Sequence, residues 1–318
     1  MDELRAEGRA VESICRVLRE QGCQVAARTY RQWAQPGRPV AARTISDAVV
    51  VDQVRDLVWT LDHEGVRRMR PEGLYGRRKM TALVRRSLPF TSPGSVDRAM
   101  RSLGLQGVRR GKAARTTIPG KDGKRAGDLL DRVFTAPAPN RTWVMDFTYV
   151  RTWAGFVYVA FILDVFAQKI IAWNLATTKA VDLVDVPLRM ALWQRGREGH
   201  PIVRGELIGH ADAGSQYTSI TFTDHLAEEG IRPSIGSVAD AYDNALMECV
   251  IGLFKTECIS TTVFHPGPYR TSADVEYATA GWVDWYNNRR LHGTLGMMTP
   301  QEFEQAHYAT LNREPQPV

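Results

Sequence analysis

The chain is organised around one segment, Asp240–Cys258, whose sequence is DAYDNALMECVIGLFKTEC. Its periodicity predicts a helix with an apolar stripe formed by Leu246, Val250, Leu253 and Phe254. Asn244, Glu248 and Lys255 recur at steps of four and seven residues along another side of this helix. Because hard divalent cations take oxygen ligands that are held steadily, Glu248 is the first candidate metal ligand. The alternative is an ordinary solvated glutamate, since most glutamates are exposed.

The composition indicates a folded, basic protein with more than one domain. A chain of 318 residues exceeds the size at which one core usually keeps growing, so two or more domains are expected. The content of 44% hydrophobic and 24% charged residues is ordinary for a globular protein and argues against wholesale disorder. The net charge of +6 permits a polyanionic partner such as DNA but does not require one.

Cysteine usage and hydropathy indicate the expected compartment. The four cysteines form no Cys-x-x-Cys pair and show no zinc-ligand spacing with histidine, which argues against a disulfide framework and a zinc finger. The N-terminus lacks an apolar signal core, and no run approaches the roughly 18 apolar residues of a membrane span. We therefore expect a soluble, cytoplasmic protein without a membrane partner.

Residues 1–38 are predicted to form an N-terminal helix-turn-helix. Apolar positions within Ala10–Ala34 indicate two helices that are separated by a break at Gln21–Cys23. The second helix of such a module enters the major groove of DNA, so Arg28 and Arg31 are candidate DNA contacts. A short helical hairpin that does not bind DNA is the alternative.

Residues 45–106 are predicted to form a second helical unit, also with helix-turn-helix character. A long amphipathic helix is expected to run through Leu61, and another helix is expected to open near Leu74. On the last helix of this unit, Arg98 and Arg101 would face outward and are candidate DNA contacts. The alternative is a packing or dimerisation unit with a solvated basic face.

A basic linker is predicted at residues 107–138. It is rich in glycine and cations and includes Arg109, Arg110 and Lys112. Flexible basic connectors follow phosphate backbones well, so these three residues are also candidate DNA contacts. The composition changes at Pro137–Asn140, which marks the start of another domain.

Strand-like runs follow this boundary, at Thr142–Arg151, Phe156–Val165 and Lys169–Ala176. Their spacing predicts strands that are linked by hairpins. Asp146 lies among β-forming residues of the first strand, where an unpaired charge is costly to bury. It therefore requires a cation nearby, unless it is a solvent-facing aspartate on an edge strand.

A second aspartate is predicted at the end of a later strand. A helix is expected over Val181–Gln194, followed by an apolar strand around Glu206–Gly209. That strand leads to Asp212, and sites in α/β sheets usually lie at the carboxyl ends of strands.

Asp146, Asp212 and Glu248, with 35 residues between the last two, resemble the Asp-Asp-Glu site of transposases and retroviral integrases. More narrowly, the chain is similar to the OrfB transposases of bacterial insertion sequences, which have an integrase-type core. The resemblance covers about Leu74–Phe303. It is carried by five ordered motifs at Trp143–Val150, His210–Tyr217, Asp243–Glu248, Lys255–Glu257 and Trp285–His292, the last followed by Thr299–Phe303.

The resemblance implies an α/β RNase H-like core over residues 139–305, preceded by an all-α helix-turn-helix region and followed by a tail at 306–318. The core would be a mixed five-stranded sheet flanked by helices. Its three carboxylates would hold two Mg²⁺ ions, with Mn²⁺ as a substitute. Two such metals support cleavage of a DNA strand by water and joining by a 3′-hydroxyl, since only the oxygen nucleophile changes.

The same resemblance implies further contacts to DNA. Lys255 would approach a phosphate near the acids, and Asn244 and Gln216 would lie in the metal shell or against DNA. Arg289 and Arg290, in the C-terminal motif, are either DNA contacts or ordinary surface charge.

The expected partners are double-stranded DNA, as the terminal inverted repeats and the target, and further copies of this chain. Joining two ends requires at least a dimer on DNA, and an upstream OrfA protein is a further possible partner. Such a protein would be nucleoid-associated in a bacterial cytoplasm. The alternative functions are a catalytically silent, transposase-derived DNA-binding or regulatory protein, and an RNase H-like nuclease such as a junction resolvase.

Overall fold

The structure is a computed structural model that describes residues 1–37, 39–109, 129–130, 134–212, 215–236 and 244–311. The chain divides into two compact units, Met1–Val49 and Val50–Val318. In the described ranges, no helix is both long enough and apolar enough to cross a membrane. The domain limits predicted from the sequence stay predictions.

The first unit contains three short helices and the start of a fourth. These are α1 (Asp2–Ala6), α2 (Val11–Glu20), α3 (Ala27–Trp33) and α4 (Ala42–Val58). The break between α2 and α3 includes Gly22, whose φ of 85° is in the left-handed region that favours glycine. Two helices with an intervening turn therefore form where they were predicted. Their role as a DNA-binding module stays a prediction.

The second unit begins with the end of α4, which is followed by the strands β1 (Trp59–Leu61) and β2 (Arg67–Met69). The predicted helix through Leu61 is therefore wrong, because α4 ends at Val58. The side chain of Asp62 accepts hydrogen bonds from the backbone N–H groups of Glu64 and Val66, at 3.0 and 2.8 Å. Such side-chain hydrogen bonds stabilise a turn in competition with the helix. A 3₁₀ turn, Pro71–Leu74, then precedes α5 (Arg77–Arg85) and α6 (Pro93–Ser102).

The centre of the second unit is a mixed five-stranded sheet in the order β5-β4-β3-β6-β7. Its strands are β3 (Thr142–Thr152), β4 (Gly155–Asp164), β5 (Lys169–Ala176), β6 (Ile208–Ala211) and β7 (Arg232–Ile235). β3, β4 and β5 are antiparallel, whereas β6 and β7 run parallel to β3. The flanking helices are α7 (Asp182–Arg197), α8 (Ile220–Glu228), α9 (Ala245–Leu253), α10 (Ser272–Asn288) and α11 (Pro300–Leu311). This architecture confirms the predicted fold class.

The alternation of side chains along β3 builds an apolar core on each face of the sheet. Val144 and Val150 pack with residues of α4, α5, α6, α9 and α10 on one face. Trp143 and Met145 pack with residues of α7 and α8 on the other face. Because α5 and α6 share a core with the sheet, the second helical segment is part of the same compact unit.

A buried ionic cluster attaches α11 to the sheet and α7. Arg195 and Asp164 are both fully buried and lie 3.1 Å apart, and Glu304 of α11 lies 2.6 Å from Arg195. Glu304 also accepts a hydrogen bond of 2.7 Å from Lys169, at the start of β5. Glu198 lies 3.0 Å from Arg195 and 3.3 Å from Lys169. Buried charges require this kind of mutual pairing.

Candidate active site

Strand register places Asp146 and Asp212 side by side. β3 and β6 are neighbouring parallel strands in which Met145 pairs with Ala211. Asp146 and Asp212 are the next residues along each strand, and adjacent strands lie about 4.7–4.9 Å apart. β6 ends at Ala211, so Asp212 is the first residue beyond the carboxyl end of that strand.

The start of α9 is attached to the same position of β3. Asn244, the residue before α9, donates a hydrogen bond of 3.3 Å from its Nδ2 to the carbonyl oxygen of Met145. Glu248 lies one turn along α9 and is exposed, and its N–H donates to the carbonyl of Asn244 at 3.0 Å. The helix therefore carries Glu248 close to the strand position that bears Asp146. Asn244 is only 2% exposed, and its place in the metal shell or against DNA stays a prediction.

The three carboxylates influence one another electrostatically. Burial and, after it, the charges of Asp212 and Glu248 raise the pKa of Asp146 to about 7, against the lowering effects of the Phe147 N–H and Lys255. The pKa of the buried Tyr217 is raised mainly by burial and then by Asp146 and Asp212. Like charges held together in this way are stabilised by a cation.

The donor atoms of this site determine which metal ion it suits. Within the described ranges, no three acidic, cysteine or histidine side chains are close enough together to enclose one ion. Residues 213–214 and 237–243, which neighbour Asp212 and precede α9, lie outside the described residues. The donors are all carboxylate oxygens, which hard divalent cations such as Mg²⁺ prefer. The chemistry of the donors therefore fits such an ion.

Lys255 lies beside this acidic site. It is exposed, its Nζ is 4.9 Å from the centre of the Tyr149 ring, and its charge lowers the pKa of Asp146. It belongs to a π-helical turn, Phe254–Ile259, that follows α9 directly. The predicted helix Asp240–Cys258 is thus α9 continued by this turn, while residues 240–243 lie outside the described residues.

Comparisons with known proteins agree with this architecture. Two families, each described as an integrase core domain, match residues 136–241 and 229–300. A putative transposase for insertion sequence element IS986/IS6110 of Mycobacterium tuberculosis is 48% identical over 242 residues, which are 76% of this chain and 85% of that protein. The chain belongs to the insertion-sequence transposases with an integrase core.

Other relatives support the same family. The transposase for insertion sequence element IS629 of Shigella sonnei is 44% identical to this transposase over 241 residues, which are 76% of this chain and 77% of that protein. The likeness to solved structures is more distant. The catalytic core domain of HTLV-2 integrase in complex with magnesium is 15% identical, with a TM-score of 0.40 over 53% of this chain and 98% of that chain.

The C-terminal motif of the transposase contributes a buried ion pair that the sequence analysis missed. Arg290 donates from Nε and Nη2 to the carboxylate of Glu257 at distances between 2.7 and 3.1 Å. Both residues are at most 5% exposed. The prediction that Arg290 contacts DNA is therefore wrong, because its guanidinium is enclosed and paired within the chain. The sequence signal for this ion pair was the opposite charge of Glu257 and Arg290, which lie in two different motifs.

The pair between Glu257 and Arg290 supports the end of the helix that carries Glu248. Glu257 belongs to the π-helical turn after α9, and the indole Nε1 of Trp282 also lies 3.4 Å from its carboxylate. Extra residues in such turns redirect side chains and are frequent at functional sites. Here the turn directs Lys255 outward and Glu257 into the core.

The remaining predicted DNA contacts of the transposase lie in varied surroundings and stay predictions. Among core residues, Gln216 is half-buried and donates to the Lys179 carbonyl at 3.0 Å, and exposed Arg289 lies 3.7 Å from Glu72. Arg101 pairs with Asp97 at 2.6 Å.

In the N-terminal half, Arg28 and Arg109 are exposed, whereas Arg31 pairs with Glu12. Arg98 is half-buried and donates to the Ser95 hydroxyl at 3.1 Å. The two other predicted contacts in the linker, Arg110 and Lys112, lie outside the described residues.

Proposed function

We propose that this transposase cleaves DNA strands at the ends of an insertion sequence and joins them to target DNA. Asp146, Asp212 and Glu248 are proposed to bind two Mg²⁺ ions, for which Mn²⁺ would substitute. The supporting observation is the position of Met145. Its pairing with Ala211 puts Asp146 beside Asp212, and its carbonyl accepts the hydrogen bond of Asn244, one turn before Glu248.

In the proposed chemistry the main task of the protein is to position the carboxylates and the DNA. A bound pair of divalent ions would activate an oxygen nucleophile and stabilise the leaving oxygen of an in-line displacement at phosphorus. β3 and β6 hold the two aspartates in register, and Asn244 holds the start of α9. Lys255, exposed beside the acids, is suited to bind a neighbouring phosphate oxygen. Water serves as the nucleophile for cleavage, and a 3′-hydroxyl serves for joining.

We also propose that the residues before the sheet recognise the element's ends and that the active form is at least a dimer. Two DNA ends must meet for joining, and holding both converts a dilute encounter into an oriented one. All three acids are present in the sequence, which favours the enzyme over the catalytically silent alternative.

The test uses linear DNA that carries the terminal repeats bracketing this gene. Asp146→Asn, Asp212→Asn and Glu248→Gln should each abolish cleavage and joining while leaving binding of the ends largely intact. Each change keeps the side-chain shape but removes the ligand charge. Glu276→Gln, an exposed acid on α10, is the matched control and should cleave like the wild type. Near wild-type cleavage by any of the three variants would remove that residue from the proposed ligand set.

A further inference from the structure

The turn between β3 and β4 exposes an unusual group of aromatic side chains. Tyr149, Trp153 and Phe156 are 56%, 72% and 52% exposed, and we refer to them as the hairpin aromatic surface. The rings of Tyr149 and Phe156 lie edge to face, with centroids 5.4 Å apart. Burying these rings would remove much apolar area from water, so their exposure indicates a binding surface.

Cations accompany these rings. Lys255 lies over Tyr149 at 4.9 Å, and the guanidinium of Arg270 lies over Trp153 at 5.1 Å. The nearest described acid to Arg270 is Asp274, whose carboxylate accepts a hydrogen bond of 2.8 Å from the backbone N–H of Arg270 and not from its guanidinium. No acid occurs in the sequence between Asp146 and Asp164. The surface is therefore both aromatic and positively charged.

The tip of the hairpin is held in place. The N–H groups of Trp153 and Ala154 donate to the carbonyls of Tyr269 and Arg270, at 3.1 and 3.0 Å. The hydroxyl of Thr152 donates to the carbonyl of Gly155 at 2.8 Å. A ring presented on such a fixed backbone loses little conformational entropy when it binds a ligand.

The position of this surface relates it to the acids. Tyr149 is three residues beyond Asp146 on β3, a separation of about 10 Å along a strand, and this odd spacing directs the two side chains to opposite faces of the sheet. Lys255 lies against Tyr149 and also influences Asp146 electrostatically. Beyond Met145 the described part of β3 has no neighbour on the side of β6, so a DNA strand that has one phosphate at the acids would pass Lys255 at this edge to reach the aromatic rings.

We propose that the hairpin aromatic surface stacks the unpaired bases of a DNA strand end beside the acidic site. The proposal rests on the proposed function, because it assumes that DNA lies at the acids. Every base has a face that stacks on an aromatic ring, and neighbouring cations bind the phosphates that connect the bases. A second copy of the chain is the alternative occupant, since aromatic residues and arginine are also enriched at protein–protein interfaces, and a mass measurement distinguishes the two.

The experiment compares two DNA probes with the full chain in the presence of a chelator, so that no cleavage occurs. One probe is a blunt duplex, and the other is the same duplex with a short single-stranded 3′ extension that contains 2-aminopurine. We expect the wild type to bind the extended probe more tightly and to quench its fluorescence by stacking. Trp153→Ala and Phe156→Ala should weaken binding of the extended probe by about 5- to 150-fold, with little effect on the blunt probe.

Two variants control for other effects. Trp193→Ala removes an exposed tryptophan of α7 that also has a cation over its ring, Arg197 at 4.8 Å, and it should bind both probes like the wild type. Trp153→Phe keeps an aromatic ring and should retain most of the preference for the extended probe. Circular dichroism on each variant checks the fold, and Tyr149→Ala provides a third test at the same surface.

Three results would overturn the inference. The first is wild-type binding of the extended probe by the alanine variants at the hairpin surface, and the second is an equal loss of affinity for both probes. Alternatively, mass measurement without DNA could show that Trp153→Ala converts a dimer into a monomer, which would assign the surface to a protein interface. None of these bears on the acid variants, whose cleavage is measured with metal. Failure of the inference and failure of the proposed ligand set are therefore distinguishable.

Discussion

Replacing Arg290 by methionine is expected to destabilise the core strongly. The change leaves the buried carboxylate of Glu257 without its cation, so its described hydrogen-bond donor is then Trp282 at 3.4 Å. Removing one partner of a buried ion pair costs about 3–5 kcal/mol of unfolding free energy. The guanidinium also lies 5.8 Å from the Trp285 ring and 5.7 Å from the Tyr286 ring, and these contacts are lost as well.

The neighbouring residue supplies the control. Arg289 is exposed, and its guanidinium lies 3.7 Å from the carboxylate of the buried Glu72, which also accepts a hydrogen bond from the Trp285 indole at 3.2 Å. Because the cation of this long pair is solvated, its removal should cost less than removal of the enclosed Arg290. Urea unfolding followed by tryptophan fluorescence should show a midpoint at least ~1 M lower for Arg290→Met than for Arg289→Met. Adding Glu257→Gln to Arg290→Met should recover part of the loss, because it removes the uncompensated charge. Equal midpoints for the two single variants would refute the assignment of a buried, stabilising pair.

Two further predictions concern the acidic site. A carboxyl group whose pKa is higher in the folded than in the unfolded protein stabilises the fold at a pH below its unfolded pKa, which is ~3.9 for aspartate. This stabilisation is lost as the pH rises through the folded pKa. Because the pKa of Asp146 is raised to about 7, the metal-free protein should lose stability between about pH 4 and 7, and Asp146→Asn should remove part of that loss in chelator-treated urea titrations. Asn244→Ala removes the hydrogen bond to the Met145 carbonyl and should slow cleavage about 10- to 100-fold by displacing Glu248, with end binding retained in gel-shift assays. An unchanged rate would show that α9 is held by other contacts.

The sequence predicted the sheet well because local and tertiary preferences agree there. β5 was predicted at the residues where it forms, Lys169–Ala176, and β3 extends one residue beyond its prediction. Leu61 was misassigned because Asp62 forms local hydrogen bonds that the apolar periodicity does not register. Helical spacing also continued into the turn after α9, where only the tertiary partner of Glu257 shows why the backbone becomes π-helical.

The candidate acids were recognisable because their residue types and order carry a resemblance. Asn244 and Arg290 were both predicted to contact DNA, and both side chains are buried. A polar residue in a motif is equally compatible with a ligand and with a buried partner, and only burial distinguishes the two. Both side chains serve the placement of α9, one at its start and one beyond its end.

The ionic cluster around Arg195 has a consequence for synthesis of the chain. Translation proceeds from the N-terminus, so Lys169 and Arg195 are made long before Glu304, which contacts both of them. Until the last helix leaves the ribosome, these two cations lack one of the carboxylates that make their burial tolerable. A chain that is cut short by a premature stop codon before α11 would keep Asp164 and Glu198 beside these cations but would lose the carboxylate that contacts both of them. Completion of the reading frame therefore supplies the last contacts of this buried cluster.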